Sequence, residues 1–156
     1  MDNWFNVLCL LALILLNGVF AMSEIALVTS RKPRLQVRID EGNRGAKVAM
    51  RLNEEPTRAL SAIQVGITSI GILSGIVGEA ALATPVAAWL NAEFDIPMET
   101  ARFAGLLLVV VLVTYFSIVL GELVPKRLGQ MNPEGVACRI APPLNFIAVF
   151  MAPFVK

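Results

Sequence analysis

The sequence predicts an all-α membrane protein with three transmembrane helices and additional cytoplasmic juxtamembrane or interfacial helices. The 156-residue chain is 56% hydrophobic and 16% charged, and its mean hydropathy is +0.71. Three long runs contain no charged residue, at residues 3–23, 59–78 and 103–121. About twenty apolar residues span a bilayer core as a helix, so each run is long enough to cross a membrane. The length predicts one domain over residues 1–156.

The first uncharged run lies at the beginning of the chain, where a cleaved signal peptide would also lie. Residues 21–23 resemble a cleavage site, but the run is preceded by Asp2 and by no basic residue. Signal peptides begin with a basic segment, so we expect a retained helix instead. Its basic flank, which starts at Arg31, is then expected in the cytoplasm.

Residues 31–58 form the most charged part of the chain. They contain eight of its thirteen Lys and Arg residues. Apolar residues recur there with helical spacing, which is interrupted at Gly42 and Asn43 and ends near Pro56. We expect amphipathic helices at the lipid headgroups, with a solvated loop as the alternative.

The second run, residues 59–78, is rich in small and polar residues. Gly66 and Ser69 are spaced to share a helix face, and a neighbouring stripe contains Ser61, Gln64, Thr68, Gly75 and Glu79. Close helix packing accounts for the glycines. It accounts less well for the polar side chains, because buried polar atoms need hydrogen-bond partners.

The segment between the second and third runs is expected outside the cell. Residues 80–90 predict a short helix that contains Pro85 and lies on the outer surface. The link that follows carries Glu93 and Asp95, with Arg102 as its only basic residue. Basic loops face the cytoplasm, so we expect the N-terminus outside and the C-terminus inside a plasma membrane or bacterial inner membrane.

The tail carries another uncharged run of sixteen residues, 140–155, which is interrupted by Pro142, Pro143 and Pro153. This pattern favours a helix in the inner interface, or one that leads to a soluble domain, over a fourth span. Because the chain stops at Lys156 without a polar terminus, we expect it to be truncated before further cytoplasmic domains.

The end of the third run carries the strongest functional signal. Glu122 is a carboxylate inside the end of an apolar helix, where a charge is costly and marks function by default. Pro125 lacks an N–H group and displaces the carbonyl four residues earlier, that of Gly121. A carbonyl oxygen beside a carboxylate suits a hard cation. The alternative is a proline-ended helix in which Glu122 pairs with Lys126.

The composition also excludes several chemistries. The chain has no histidine, which excludes His-ligated zinc, imidazole acid–base catalysis and a Ser-His triad. Cys9 lies in an apolar run and Cys138 in a loop-like stretch, so no disulfide framework is indicated. We therefore expect no enzymatic activity.

Three motifs resemble the signatures of one protein family. Residues 17–27 (NGVFAMSEIAL), 64–71 (QVGITSIG) and 121–126 (GELVPK) resemble the first, second and third helix signatures of the CorC/CNNM (cyclin M) magnesium transporter family. The resemblance implies a homodimer in the lipid bilayer, with nucleotide-binding CBS domains after residue 156. It also implies Mg²⁺ export driven by Na⁺ influx, and no nucleic-acid partner.

The residue chemistry and the resemblance converge on one cation site that opens to the cytoplasm. Mg²⁺ takes six oxygen ligands and loses water reluctantly, so several helices must supply oxygens. The expected ligands are hydroxyls, backbone carbonyls and one carboxylate, from Ser23, Gly66, Ser69, Gly121 and Glu122. A further set is expected to support these ligands or to bind Na⁺: Asn17, Gln64, Thr68, Glu24, Pro125 and Lys126. For Glu24 the alternative is an ion pair with Arg31 or Lys32.

A second functional class stays open beside a transporter. A membrane anchor or sensor that positions a nucleotide-binding regulatory domain, without itself transporting, would need small-residue packing but no converging carboxylate. Metal binding by the membrane domain distinguishes the two classes.

The orientation can be tested by cysteine labelling. In a chain that carries Cys9→Ser and Cys138→Ser, Asp95→Cys should react with an impermeant maleimide from outside. Asn43→Cys should react only from the cytoplasmic side, because it lies in the basic segment. Labelling of these two positions from the opposite sides would contradict the predicted orientation.

Overall fold

The computed structural model describes residues 2–151 of the chain, and every regular element in this part is helical. The all-α prediction is thus confirmed. The elements in chain order are α1 (Asp2–Thr29), α2 (Lys32–Asp40), α3 (Arg44–Glu54), α4 (Pro56–Phe94), α5 (Met98–Ile118), a π-helical turn (Val119–Leu123), α6 (Val124–Met131) and α7 (Pro133–Met151).

Three stretches of the described chain are long and apolar enough to cross a membrane. They are Trp4–Thr29, Pro56–Phe94 and Met98–Met131, the last of which joins α5, the π turn and α6. Large apolar side chains on these stretches are exposed, as contact with lipid requires, and Trp4, Ile72 and Phe103 are each more than 60% exposed. The prediction of three membrane helices is confirmed.

The second of these helices corrects one prediction. Residues 80–90 do not form a separate surface helix, because α4 continues without a break through Pro85 to Phe94. Its 39 residues are on the order of 58 Å long, well beyond a ~30 Å bilayer core. Packing against α5 explains this continuity: a Cβ atom on Gly105 would lie 3.1 Å from the backbone nitrogen of Ala87. The two helices therefore stay in close contact beyond the proline.

The juxtamembrane segment forms two amphipathic helices, as predicted. The break falls at Gly42, whose φ of 85° favours glycine, and Asn43 then caps α3 by accepting a hydrogen bond from the backbone N–H of Ala46 at 3.1 Å. Helix α3 buries an apolar face that includes Ala49 and Leu52. The solvated-loop alternative is thus excluded.

The last helix begins earlier than the uncharged run of the tail. Asn132 accepts a hydrogen bond from the backbone N–H of Gly135 at 3.0 Å, at the start of α7. Cys138 is therefore helical and buried, and its assignment to a loop-like stretch was wrong. Pro142 and Pro143 lie inside α7. Pro153 lies outside the described residues.

Polar contacts fix α3 and α7 to the end of α1. The Glu134 carboxylate, on a residue only 4% exposed, accepts a hydrogen bond from the backbone N–H of Arg31 at 3.2 Å and lies 3.8 Å from the Arg34 guanidinium. The amide of Asn53 donates to the carbonyl of Leu27 at 3.0 Å, which satisfies one acceptor at the end of α1. These contacts hold the juxtamembrane helices against the first membrane helix.

The packing of α6 on α1 depends on Gly129, and this can be tested by substitution. A Cβ atom there would lie 2.6 Å from Ile25 Cγ2 and 2.9 Å from the carbonyl oxygen of Met22. Gly129→Ala should therefore lower the free energy of unfolding by about 1–3 kcal/mol, a fall in Tm on the order of 5 °C. Gly71→Ala is the control, since nothing lies within 4 Å of its Cβ position. Equal melting temperatures of the two variants in detergent would contradict this packing.

Candidate cation site

A hydrogen bond between α1 and the π turn lies at the centre of the site. Pro125 removes a backbone donor, and the preceding N–H, that of Val124, bonds to the carbonyl of Val119 five residues back. The amide of Asn17 donates to the carbonyl oxygen of Gly121 at 3.0 Å. The sequence predicted a free Gly121 carbonyl, and this prediction is wrong, because the carbonyl accepts a hydrogen bond from the Asn17 amide.

Two glycines allow α1 and the third membrane helix to approach closely here. A Cβ atom on Gly121 would lie 3.1 Å from Asn17 Nδ2 and 3.2 Å from the carbonyl oxygen of Ile14. A Cβ atom on Gly18 would lie 2.8 Å from Pro125 Cγ. Small residues at such contacts let the backbones of membrane helices approach, which places the π turn directly against α1.

The other polar atom of the Asn17 amide is unsatisfied. Its Oδ1 is buried and has no hydrogen-bond partner among the described residues. A buried acceptor without a partner costs about 1–3 kcal/mol. An oxygen of this kind inside a membrane helix is a candidate ligand for a cation.

A three-residue charge cluster lies next to this contact. Lys126 Nζ lies 2.7 Å from Glu122 Oε1 and 3.3 Å from Glu24 Oε2. The i,i+4 pair that was the alternative for Glu122 is thus present. Among the described residues, Glu24 pairs with Lys126 and not with Arg31 or Lys32. Two carboxylates share one ammonium group, so the cluster has a net charge of −1 when all three groups are ionised.

A cavity of about 290 Å³ lies between α1, α4 and α5, and we call it the central cavity. Its polar lining comes from all three membrane helices. The polar and small residues of the lining are Asn17, Thr114, Ser117, Glu122, Gly71 and Gly75. The described residues contain no group of three or more acidic, Cys or His side chains suited to a metal. A cation in this cavity would therefore depend on neutral oxygens as well as on Glu122.

The structure separates the five predicted ligands. Glu122 lines the central cavity, and Gly121 precedes it with its carbonyl bound to Asn17. Ser23 is buried on α1, where its hydroxyl donates to the carbonyl of Val19 at 2.6 Å. The other two are on α4, where Gly66 packs against the ring of Phe20 and Ser69 is exposed.

The predicted supporting residues fall into two groups. Asn17, Glu24, Pro125 and Lys126 lie together at the contact between α1 and the third membrane helix. In contrast, the side chains of Gln64 and Thr68 are exposed on α4.

Of the nine residues that line the central cavity, sequence reasoning assigned only Asn17 and Glu122 to the site, and four of the others are small or polar. Thr114 and Ser117 are three residues apart on α5, and Gly71 and Gly75 are four apart on α4. Both spacings place the pair on one helix face. Two hydroxyls on one face of an otherwise apolar span are a signal from which this lining could have been found.

The fold and this site define a polytopic α-helical membrane domain with a cavity between its membrane helices, whose lining combines apolar residues with a few polar ones. The family described as cyclin M transmembrane N-terminal domain (CNNM) matches residues 8–156. The chain belongs to this family, which confirms the resemblance of its three motifs.

Several curated proteins are similar to the chain. It is 48% identical over 146 residues to UPF0053 protein sll0260 of Synechocystis sp., covering 92% of the chain and 32% of that protein. It is 36% identical over 150 residues to Polyamine export protein of Escherichia coli, covering 96% of the chain and 33% of that protein. It is 31% identical over 155 residues to UPF0053 protein YhdT of Bacillus subtilis, covering 99% of the chain and 33% of that protein. The chain spans about a third of the length of these relatives.

The charge cluster predicts that a second substitution partly restores the Tm lost through the first. Lys126→Met should lower the Tm, because it leaves two carboxylates facing each other without a cation. Adding Glu24→Gln should restore part of the loss, because it removes one of the two negative charges. The control is Arg127→Met, the exposed neighbour of Lys126.

Thermal unfolding in detergent compares the three variants with the unchanged chain. If the Tm of Lys126→Met/Glu24→Gln is equal to or lower than that of Lys126→Met, this would contradict the arrangement in which Glu24 and Glu122 share the Lys126 ammonium group.

Proposed function

We propose that this chain is the membrane domain of a cation exporter whose cargo is Mg²⁺ and whose driving force is Na⁺ influx. The observation that carries the proposal is the buried, unsatisfied Oδ1 of Asn17, a residue that lines the same cavity as Glu122. Magnesium prefers oxygen ligands and keeps several of its waters, so these two protein oxygens need to supply only part of its coordination shell. The hydroxyls of Thr114 and Ser117 offer two more.

The ligands inferred from the family motifs remain part of this proposal. Ser23, Gly66 and Ser69 would complete the coordination shell in the cargo-bound state. Gly121 would contribute its carbonyl if Asn17 gave up its hydrogen bond to bind the ion. Both steps require a rearrangement around α4 and the π turn.

Lys126 gives the proposed site a means of charge compensation. Without cargo, its ammonium neutralises Glu122 at 2.7 Å, and Glu24 lies 3.3 Å away. When Mg²⁺ binds Glu122, Lys126 can keep Glu24 as its partner. No carboxylate is then left unpaired inside the membrane in either state, which matters because an unpaired charge there is costly.

The exposed polar side chains of α4 support the proposed homodimer. Gln64, Thr68 and Ser69 are exposed on a membrane helix, where lipid offers them no hydrogen-bond partner. A second copy would cover such side chains. We further propose that the N-terminus lies outside a plasma or bacterial inner membrane, and that CBS domains follow residue 156 in the cytoplasm.

A polyamine is a second candidate cargo, favoured by one specific contact. Glu24 and Glu122 already bind a primary ammonium group, that of Lys126. Polyamines carry the same group, and the Escherichia coli relative is named Polyamine export protein. The alternative of a membrane anchor or sensor requires no binding of either cation.

The proposal is tested by calorimetric titration of Mg²⁺ into the detergent-purified chain and its variants. Glu122→Gln keeps the size of the side chain but removes the charge that offsets dehydration of the ion. It should weaken Mg²⁺ binding at least tenfold, about 1.4 kcal/mol. Glu54→Gln, at an exposed position on α3, is the matched control and should bind as the unchanged chain does.

Pro125→Ala separates the effect of the π turn from that of charge. It returns an N–H group to the helix, which competes with Asn17 for the Gly121 carbonyl, so Mg²⁺ affinity should fall although every charge remains. Parallel titration with putrescine distinguishes the two cargoes. Unchanged Mg²⁺ affinity in Glu122→Gln would remove the site assignment, and binding of putrescine alone would identify the amine as cargo.

A further inference from the structure

A second polar cavity, of about 340 Å³, lies between the juxtamembrane helices and α7, and we call it the α3–α7 cavity. It lies apart from the central cavity and shares no lining residue with it. Asn132, the residue between α6 and α7, is part of its lining, which places the cavity where the third membrane helix ends. This is the level at which lipid headgroups are expected.

Two arginines give the α3–α7 cavity a positive charge. Arg38 on α2 and Arg139 on α7 line it, and no acidic residue does. Neither guanidinium forms an ion pair with any residue whose side chain the structure describes. The Glu134 carboxylate, one helical turn before Cys138, is instead occupied by the backbone of Arg31 and by the guanidinium of Arg34.

The two asparagines of the lining add hydrogen-bond donors. Asn43 and Asn132 each use Oδ1 to accept a backbone N–H at the start of a helix, from Ala46 and Gly135 respectively. Their NH₂ groups, which can only donate, form no hydrogen bond among the described residues. The cavity therefore combines two guanidinium groups and two amide donors.

The backbone arrangement strengthens the preference for an anion. The first turn of α3 touches α7, because Gly45 lies directly against the carbonyl of Cys138. The N-terminal ends of α3 and α7 therefore both lie near the cavity, and each adds a partial positive charge. Burial raises the pKa of the Cys138 thiol above its ordinary value, the positive charge of Arg38 opposes this rise, and the negative charge of Glu134 adds to it. The thiol therefore gives the cavity no competing anion.

We propose that the α3–α7 cavity binds a phosphate group, with Arg38 and Arg139 as its charged ligands and the amides of Asn43 and Asn132 as neutral donors. Guanidinium groups bind phosphate oxygens through paired hydrogen bonds. The group can belong to an anionic lipid headgroup or to free phosphate, which present the same oxygens. Basic pockets of this kind at the ends of membrane helices suit anionic headgroups.

The test compares a cavity variant with a control of equal charge. Arg38→Gln/Arg139→Gln removes both guanidinium groups of the cavity. Arg51→Gln/Arg127→Gln removes two exposed arginines that do not line it. Native mass spectrometry counts the phosphatidylglycerol molecules retained by each chain, with phosphatidylcholine as the lipid without net charge, and calorimetry measures inorganic phosphate binding in detergent.

The cavity variant should lose at least fivefold in phosphatidylglycerol retention, and the control variant less than twofold. If the affinity for inorganic phosphate also falls in the cavity variant but not in the control, free phosphate is a ligand as well as the lipid. If the unchanged chain binds no inorganic phosphate, the ligand is the lipid headgroup alone. Equal losses in both variants, or no loss in the cavity variant, would overturn the proposal. If the double variant does not fold, Arg139→Gln alone carries the test, because that side chain is exposed.

Discussion

The hydrogen bond between Asn17 and the carbonyl of Gly121 is the constraint on which the membrane part of this structure depends. It joins residues that are 104 positions apart, at a distance of 3.0 Å. Pro125 prevents a regular helix at Gly121, so the carbonyl needs a donor from elsewhere, and in the membrane no water supplies one. Asn17 supplies it and thereby fixes α1 against the π turn. Helix α1 also contacts α4, α6 and α7, so its position sets that of most other elements.

The same contact explains why a polar site exists between apolar helices. Once the amide nitrogen of Asn17 is bound to Gly121, its oxygen must lie on the other side, where no described residue donates to it. The hydrogen bond to Gly121 contributes about 0.5–1.5 kcal/mol to stability, whereas the unsatisfied Asn17 Oδ1 costs about 1–3 kcal/mol. Such a loss is typical of a position kept for binding rather than for stability. A cation with oxygen ligands would satisfy this atom and the nearby Glu122 carboxylate together.

Much of the fold could be predicted from the sequence because its signals are local. The uncharged runs predicted the three membrane helices, and Gly42, Asn43 and Pro56 predicted where the juxtamembrane helices end. The extension of α4 through Pro85 could not be predicted from local signals, because it depends on contact with Gly105 of α5.

Local sequence signals also predicted only part of the candidate site, because they do not show contacts between helices. The pair of Glu122 with Lys126 follows from a spacing of four residues, but the additional partner Glu24 comes from α1. Likewise, Asn17 was predicted as a residue that supports the ligands or binds Na⁺, and only the helix packing identifies the Gly121 carbonyl as its hydrogen-bond partner. Ligand positions inferred from motifs cannot show which helix faces meet. This is why Ser69 is not part of the lining of the central cavity, whereas Thr114 and Ser117, which were not predicted, are.

The central claim is that a divalent cation binds at Asn17 Oδ1 and Glu122 and displaces Lys126 from that carboxylate. The most direct measurement is anomalous diffraction from crystals of the chain grown with and without Mn²⁺, as a detectable substitute for Mg²⁺. We expect a single strong peak in the central cavity at direct coordination distance from Glu122, with Lys126 turned towards Glu24. No peak in that cavity, or a Lys126–Glu122 distance that stays at 2.7 Å in the presence of the metal, would contradict the account.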